Sequence, residues 1–276
     1  MKVGFIGGGN MARAIAGGLL AGGFEARDLL LSEPLADRRK TLAEQLPGVH
    51  IADDNGSVVT AADAVVLAVK PQVLPAVCGE LAAAVQAARP LIVSIAAGVR
   101  SSDIDAWLGG ALAVVRVMPN QPALLGLGVS GLYANPAAGE SGLRAAEHIM
   151  AAVGEVVRVD TESDIDAVTA VSGSGPAYFF LLIEMLEQSA RSFGLDAPAA
   201  RTLATRTAAG AAALAARSGE PMADLIGRVR SPGGTTAAAL DSLEADDVRG
   251  VFARALESAR ARAGQLADEA HASQSS

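Results

Sequence analysis

The sequence predicts a doubly wound α/β domain followed by an all-helical domain. Three observations predict it. Over the first 160 or so residues, short apolar runs alternate with stretches of helical period, the pattern of βαβ units and a parallel sheet. A glycine-rich turn, Gly7-Gly8-Gly9-Asn10-Met11-Ala12, stands between the first apolar run and the first helical stretch. From about Thr161 the apolar runs stop and long helical patterns take over.

The strands are expected, in order, at Lys2–Ile6, Leu29–Leu31, Val49–Ile51, Ala64–Val69, Leu91–Ile95 and Ala113–Met118. Met11–Leu20, Ala36–Gln45, Val73–Val85 and Ser102–Leu108 lie between them and suit helices. Val129–Tyr133, a helix near Gly139–Ala152 and Glu155–Val159 extend the same domain. Beyond it, helices are expected at Ser163–Val171, Ala177–Phe193, Pro198–Ser218 and Asp246–Ala270. The reading is therefore a first domain over 1–160, a helical domain over 161–270 and a disordered tail over 271–276. The helical domain is rich in small residues, as in Ala208-Ala209-Gly210-Ala211-Ala212-Ala213. Small faces bury little area per residue, so a partner subunit would supply the missing burial. An alanine-rich helix with no partner is the plainer alternative.

Composition narrows the classes further. The chain has 276 residues, 51% hydrophobic and 19% charged, which opposes the low hydropathy and high charge of disordered chains. No stretch reads as the roughly 18 uncharged apolar residues of a membrane span. The best candidate, Pro176 to Leu186, is short and carries Glu184. A net charge of −8 removes the basic footprint of a nucleic-acid binder. The single cysteine, Cys78, excludes an internal disulfide and fits a reducing, cytoplasmic setting. The opening residues are too short and glycine-rich for a signal peptide. No group of His, Cys, Asp and Glu has metal-ligand spacing, so no metal is expected. Lysines occur only at 2, 40 and 70 and histidines only at 50, 148 and 271, which restricts any proton donor of those types.

The turn after the first strand reads G-x-G-x-x-A in strand–turn–helix context. Gly7 permits the tight turn, Gly9 lets a pyrophosphate approach the backbone, and Ala12 keeps helix and sheet close. Free N–H groups at the helix start bind the phosphates. This is a Rossmann-type dinucleotide site, against the alternative of a glycine-rich turn with no ligand. The second strand ends Ser32-Glu33-Pro34. Glu33 would bond an adenosine ribose diol and favour NADH, whereas Ser32, Arg38 and Arg39 stand close enough in sequence to receive a 2′-phosphate and favour NADPH. Both cofactors stay open. Lys70, at the end of Ala68-Val69-Lys70-Pro71, stands where open α/β sheets bind ligands. Ser94-Ile95-Ala96-Ala97-Gly98 ends its strand in small residues over which the cofactor can pass, and Met118-Pro119-Asn120 is expected near the nicotinamide.

Two glycine-rich loops lie in the helical part, where glycine is costly. Ser172-Gly173-Ser174-Gly175-Pro176-Ala177-Tyr178 reads as a close approach to a ligand, with Ser174 as a substrate contact, or as a plain interhelical turn. Ser231-Pro232-Gly233-Gly234-Thr235-Thr236 offers backbone N–H groups and hydroxyls at a helix start, an anion site suited to a small carboxylate. The plainer alternative is a cap made by Ser231 or Thr235.

Taken together and in this order, Val3–Ala12, Ala68–Pro71, Ser172–Tyr178 and Ser231–Thr236 resemble pyrroline-5-carboxylate reductases over about residues 2 to 265. The resemblance implies that Ile6, Gly7, Gly8, Gly9, Asn10 and Met11, then Asn55, then Ala68 to Pro71 and Ile95 to Gly98 contact NADPH or NADH. It implies that Ser231, Thr235 and Thr236 hold the substrate carboxylate and ring nitrogen, with Gly233 and Gly234 in the same loop. It further implies that the helical domain intertwines with a second subunit and that dimers assemble into larger rings. The implied reaction is hydride transfer to the C=N carbon of 1-pyrroline-5-carboxylate, giving L-proline as the last step of proline biosynthesis. A protonated imine is already electrophilic, so orientation and electrostatics can carry most of the work. Thr236 is the residue assigned beside the nitrogen, as hydrogen-bond partner or proton relay. A β-hydroxyacid dehydrogenase would need a lysine in the helical domain, and none follows Lys70. A non-catalytic dinucleotide sensor, or a reductase of another small cyclic imine, is the remaining alternative.

Overall fold

A computed structural model describes residues 1–272 and divides the chain into two compact units. The first contains residues 1–174 together with 259–272, and the second residues 175–258.

The first unit is built on one eight-stranded sheet. In chain order its elements are β1 (Val3–Ile6), α1 (Asn10–Ala21), β2 (Leu29–Ser32), α2 (Ala36–Gln45), β3 (His50–Ala52), α3 (Asn55–Ala61), β4 (Ala64–Leu67), α4 (Leu74–Ala88), β5 (Leu91–Ser94), α5 (Ser101–Trp107), β6 (Val114–Met118), β7 (Gly128–Ala134), α6 (Gly139–Met150), β8 (Gly154–Arg158) and α7 (Asp164–Val168). The strand order is β3-β2-β1-β4-β5-β6-β7-β8. Strands β1, β2 and β4 are buried along their whole length, as apolar runs covered on both faces must be. One face packs on α1, α2 and α6 through Ile15, Leu19, Leu42, Ile149 and Met150; the other packs on α3, α4 and α5 through Val58, Leu74, Leu81, Val85 and Ile104. The order reverses between β1 and β4, so the β1 and β4 loops open a crevice at their carboxyl ends.

Three features differ from the sequence expectation. The sheet is not wholly parallel: β7 runs antiparallel to β6, and β8 follows β7 in parallel. The connection from Met118 to Gly128 is too short for the crossover that a parallel pair needs. A helix, α3, occupies Asn55–Ala61, where no element is expected between Val49–Ile51 and Ala64–Val69. It forms because the Asp54 carboxylate caps it, accepting the Ser57 N–H at 2.7 Å and the Ser57 hydroxyl at 2.7 Å. Those bonds from Ser57 lower the Asp54 pKa below its ordinary 3.8. Finally, the helical patterns after 160 do not form one unit, as the second unit shows.

That unit contains α8 (Gly175–Ser192), which packs on α9 (Ala197–Ser218), then α10 (Met222–Val229), α11 (Thr235–Ala245) and the first part of α12 (Val248–Ala272). Asp196 caps α9 through the Ala199 N–H, with Pro198 in the first turn, and Gly219 at φ +66 ends it. Large apolar side chains stay exposed, among them Phe179, Phe180, Met185, Leu203 and Phe252. The first compact unit runs on to Ser174, past the position near 160 where the helical patterns begin, because α7 and the π-helical turn Thr169–Gly173 bury Ile165 and Ala170 within it. The C-terminal part of α12 also belongs to the first unit. Ala263 and Ala267, one turn apart, are buried there; Arg100 pairs with Asp268, and His271 Nδ1 lies 2.6 Å from Asp103. Of the tail expected over 271–276, the first two residues are helical, since α12 runs to Ala272; residues 273–276 lie outside the described residues.

The helical run over 164–192 is also longer than expected. By length and composition alone it could cross a membrane, with a mean hydropathy of 1.2 over its most apolar window. The sequence reading had no such stretch, because it broke the run at the serine-glycine loop. The π-helical turn carries the helix through that loop.

Candidate dinucleotide cleft and carboxylate loop

The first strand delivers Gly7 at φ +99, a left-handed conformation that a side chain resists. A Cβ there would also stand 3.0 Å from Val69 Cγ1 and 3.1 Å from the Ala68 carbonyl oxygen. Gly9 differs. Its φ of −69 and ψ of 178 suit any residue, and a Cβ on it would meet nothing within 4 Å. It faces open space at the start of α1, as N-cap residue with no side-chain cap. The N–H groups of the first turn are thus left for a ligand.

Around that turn lies a cleft of about 330 Å³. Its walls are Gly9, Asn10 and Met11 from β1–α1, Ala68 to Pro71 after β4, Ile95 to Ala97 after β5, and Met118 with Pro119 after β6. Four strand ends converge there, as the switch-point rule requires. On the other side of the glycine turn a second cavity of about 390 Å³ is lined by Gly8, Gly9, Asn10, Arg13, Arg38, Thr41 and Leu42. Two guanidinium groups border it, which suits a phosphate. Arg13 is held by Gln45 Oε1 at 2.8 Å and by the Asn10 side chain.

The remaining residues expected to contact the cofactor are distributed as follows. Ile6 is buried in the core and shapes the turn through its backbone. The Ser32 hydroxyl donates to Asn55 Oδ1 at 2.6 Å, joining β2 to the start of α3. Glu33 is buried, and its Oε1 accepts the Leu35 N–H at 3.1 Å, while its Oε2 lies beside Gly8. Arg39 donates to the Glu33 and Pro34 carbonyls and so fixes the β2–α2 loop rather than turning to the second cavity. Lys70 is exposed at the cleft mouth. Gly98 faces Leu266 of α12 and stands outside the cleft wall. Asn120 is buried, and both ends of its amide are engaged: Oδ1 accepts the Val129 N–H at 3.0 Å, and Nδ2 donates to the Ser172 carbonyl at 3.2 Å. The sequence reading missed Arg13 and Thr41. Arg13 lies one turn after Asn10 and could have been found from helical spacing.

In the second unit, α11 opens on Gly234, again with no side-chain cap. Neither Ser231 nor Thr235 caps the helix, so its first-turn N–H groups remain available to an anion. Gly233 takes φ +68, and a Cβ on Gly234 would collide with Ser231 Oγ, so the tight loop depends on both glycines. Arg230 pairs with Asp241 at 2.6 Å and ties the loop to α11. Thr236 is half-buried, whereas Ser231 and Thr235 are exposed. Among the described residues no group of three His, Cys, Asp or Glu side chains is placed to hold a metal ion.

A doubly wound sheet with a glycine turn at its switch point and a four-loop cleft defines a dinucleotide-dependent oxidoreductase. Residues 2–98 match the family profile described as NADP oxidoreductase coenzyme F420-dependent, and residues 162–266 match pyrroline-5-carboxylate reductase dimerisation. The chain is 44% identical over 268 residues to pyrroline-5-carboxylate reductase of Pseudomonas aeruginosa, covering 97% of each, and 42% identical to that of Vibrio alginolyticus, covering 96% and 97%. The solved pyrroline-5-carboxylate reductase of Coxiella burnetii superposes with a TM-score of 0.92 at 40% identity, covering 96% of this chain and 98% of that one. The Plasmodium falciparum pyrroline carboxylate reductase, solved with NADP bound, gives 0.83 at 27% identity, covering 97% and 98%. The chain belongs to the pyrroline-5-carboxylate reductase family.

Proposed function

We infer that this chain reduces the C=N bond of 1-pyrroline-5-carboxylate to L-proline, the last step of proline biosynthesis. The cofactor is NADPH or NADH, and when bound its reduced nicotinamide supplies the hydride. The uncapped, glycine-led start of α11 carries the reading of the substrate, because a small carboxylate is the ligand that suits it.

The chain's own residues bind and orient. The first turn of α1 and the Gly7–Asn10 backbone take the pyrophosphate, Ala68 to Pro71 and Ile95 to Ala97 flank the cleft, and Arg13 with Arg38 offers a cationic cavity for a further phosphate. Gly233, Gly234 and Thr235 backbone groups, with the Ser231 and Thr235 hydroxyls, hold the carboxylate. Thr236 stands beside the ring nitrogen and keeps a hydroxyl in hydrogen-bond reach of the imine proton. A threonine hydroxyl is a poor acid, which matters little for a substrate that is protonated before it reacts.

The exposed apolar face of the second unit is covered by a second copy, giving a homodimer, and dimers assemble into a larger ring. The location is cytoplasmic. Cys78 fits that setting: burial pushes its thiol pKa up to about 12, which leaves it inert. Oxidation of reduced dinucleotide, followed by absorbance with and without the imine, tests the reaction. Imine-dependent loss of signal supports it. A folded protein that binds dinucleotide but oxidises none with the imine would raise the sensor, or a reductase of another small cyclic imine, to first place. Sedimentation at several concentrations tests the assembly.

A further inference from the structure

We propose that Asn120 is a positioning residue that fixes the serine loop Ser172–Ser174 against the β6 end of the dinucleotide cleft. The proposal rests on the reductase reading given above.

The Ser172 carbonyl lacks its regular helical donor. In a regular helix the Ser172 carbonyl would accept the N–H four residues on, but residue 176 is proline and has none. The chain meets this in two ways. The helix widens into a π-helical turn over Thr169–Gly173, in which the Ser174 N–H donates to the Thr169 carbonyl at 2.8 Å. Such turns concentrate at functional sites. The orphaned Ser172 carbonyl then accepts Asn120 Nδ2 at 3.2 Å.

Asn120 can aim that donor because its other end is anchored. Its Oδ1 accepts the Val129 N–H at 3.0 Å, at the start of β7, and its own carbonyl accepts the Ala123 N–H at 3.1 Å. The side chain is 8% exposed, so water competes weakly for these bonds. A second contact makes the same connection. A Cβ on Gly173 would stand 2.5 Å from Met118 Cε, so Gly173 admits the Met118 side chain. Met118 also lines the cleft. The segment Met118–Asn120 therefore touches the cleft at one end and the π-helical turn at the other. The link spans 52 residues of sequence. Through it the Ser172–Ser174 loop, in which Ser174 is the expected substrate contact, keeps a set distance from the cleft wall, which is what hydride transfer demands of its two partners.

Asn120→Asp separates the two bonds. Aspartate still accepts from Val129, but its carboxylate cannot donate to Ser172 and repels that carbonyl. The expected result is a loss of about ten- to a hundredfold in kcat/KM for the imine, with the Kd for reduced dinucleotide within about twofold of wild type. The deuterium isotope effect with dinucleotide labelled at the transferred hydrogen should rise, because a misplaced imine slows the hydride step. A purely structural role would lower Tm and yield and leave the isotope effect alone. If Asn120→Asp does not fold, Gly173→Ala reads the link from the other side, by displacing Met118, and the isotope effect should again rise. Wild-type kinetics in the folded variant, or an equal loss for imine and dinucleotide with no change in isotope effect, would overturn the proposal. Wild-type protein is assayed in parallel. Its failure to oxidise dinucleotide with the imine would strike the reductase reading instead.

Discussion

Gly9→Ala should weaken dinucleotide binding and leave stability alone. In the folded chain the added methyl meets nothing within 4 Å, and φ −69 with ψ 178 is open to alanine. Two small terms then oppose each other. Alanine is a poorer N-cap than glycine by about 0.5–1 kcal/mol. Against that, it removes unfolded-state freedom worth about 0.4–1 kcal/mol. The net is about 0.5 kcal/mol either way, about 2 °C or less in Tm for a chain of this size. Binding has no such offset. The methyl projects into the space beside the first turn of α1, where a pyrophosphate oxygen must come within hydrogen-bond distance of the backbone. Losing one charge-assisted bond costs about 1.5–3 kcal/mol, or about 10- to 150-fold in Kd. Gly7→Ala is the control. At φ +99 it forces a left-handed alanine, at about 1–2 kcal/mol, before its contacts with Val69 and the Ala68 carbonyl are counted. Nicotinamide fluorescence titration and thermal melting of both variants read the two quantities. The reasoning is refuted if Gly9→Ala binds dinucleotide as wild type does, or if its Tm falls as far as that of Gly7→Ala.

Arg38→Ala should raise KM for NADPH about tenfold and leave KM for NADH unchanged, since Arg38 borders the phosphate-sized cavity beside Gly8 and Gly9; steady-state assays with both cofactors check this. Thr236→Ala should lower kcat with the imine at least tenfold and leave dinucleotide Kd unaltered, whereas equal loss of both would make Thr236 structural; stopped-flow turnover with parallel binding titrations separates the cases. Asp54→Ala should lower Tm at neutral pH by uncapping α3. Because the folded-state pKa of Asp54 is depressed, its contribution is present above the ordinary value of 3.8 and is lost as pH falls through the lower folded value, so melting curves of the two proteins should converge in acid.

The glycine turn, the buried strands and the loop ahead of α11 were legible because each is a local pattern with one physical cause. Four strand ends were named from short apolar runs, and all four border one cleft. What the sequence withheld depends on distant partners. The reversal of β7 follows from a connection length that only strand pairing makes visible. Helix α3 is short and went unassigned, although Asp54 three residues before Ser57 is itself a cap signal. The amide of Asn120 could go to a cofactor or to a carbonyl, and only the fold brings Ser172 to it. The return of α12 was hidden for the same reason, as Ala263 and Ala267 look like any alanines on a polar helix. Glu33 remains a residue whose chemistry suggests one cofactor while its inward, Leu35-bonded carboxylate leaves Arg38 to act at the neighbouring cavity.

The last turns of α12 give the first unit a schedule. Arg100 with Asp268, and Asp103 with His271, are each 168 residues apart. On a ribosome, the dinucleotide sheet can assemble early, but it stays unfinished until the far end of the chain emerges. Contacts of such sequence separation are slow to find. A protein cut after residue 174 therefore lacks part of its own first unit. Pulse-labelled hydrogen exchange during refolding should find the amides of β1 and β4 protected before those around Val99 and Ile104.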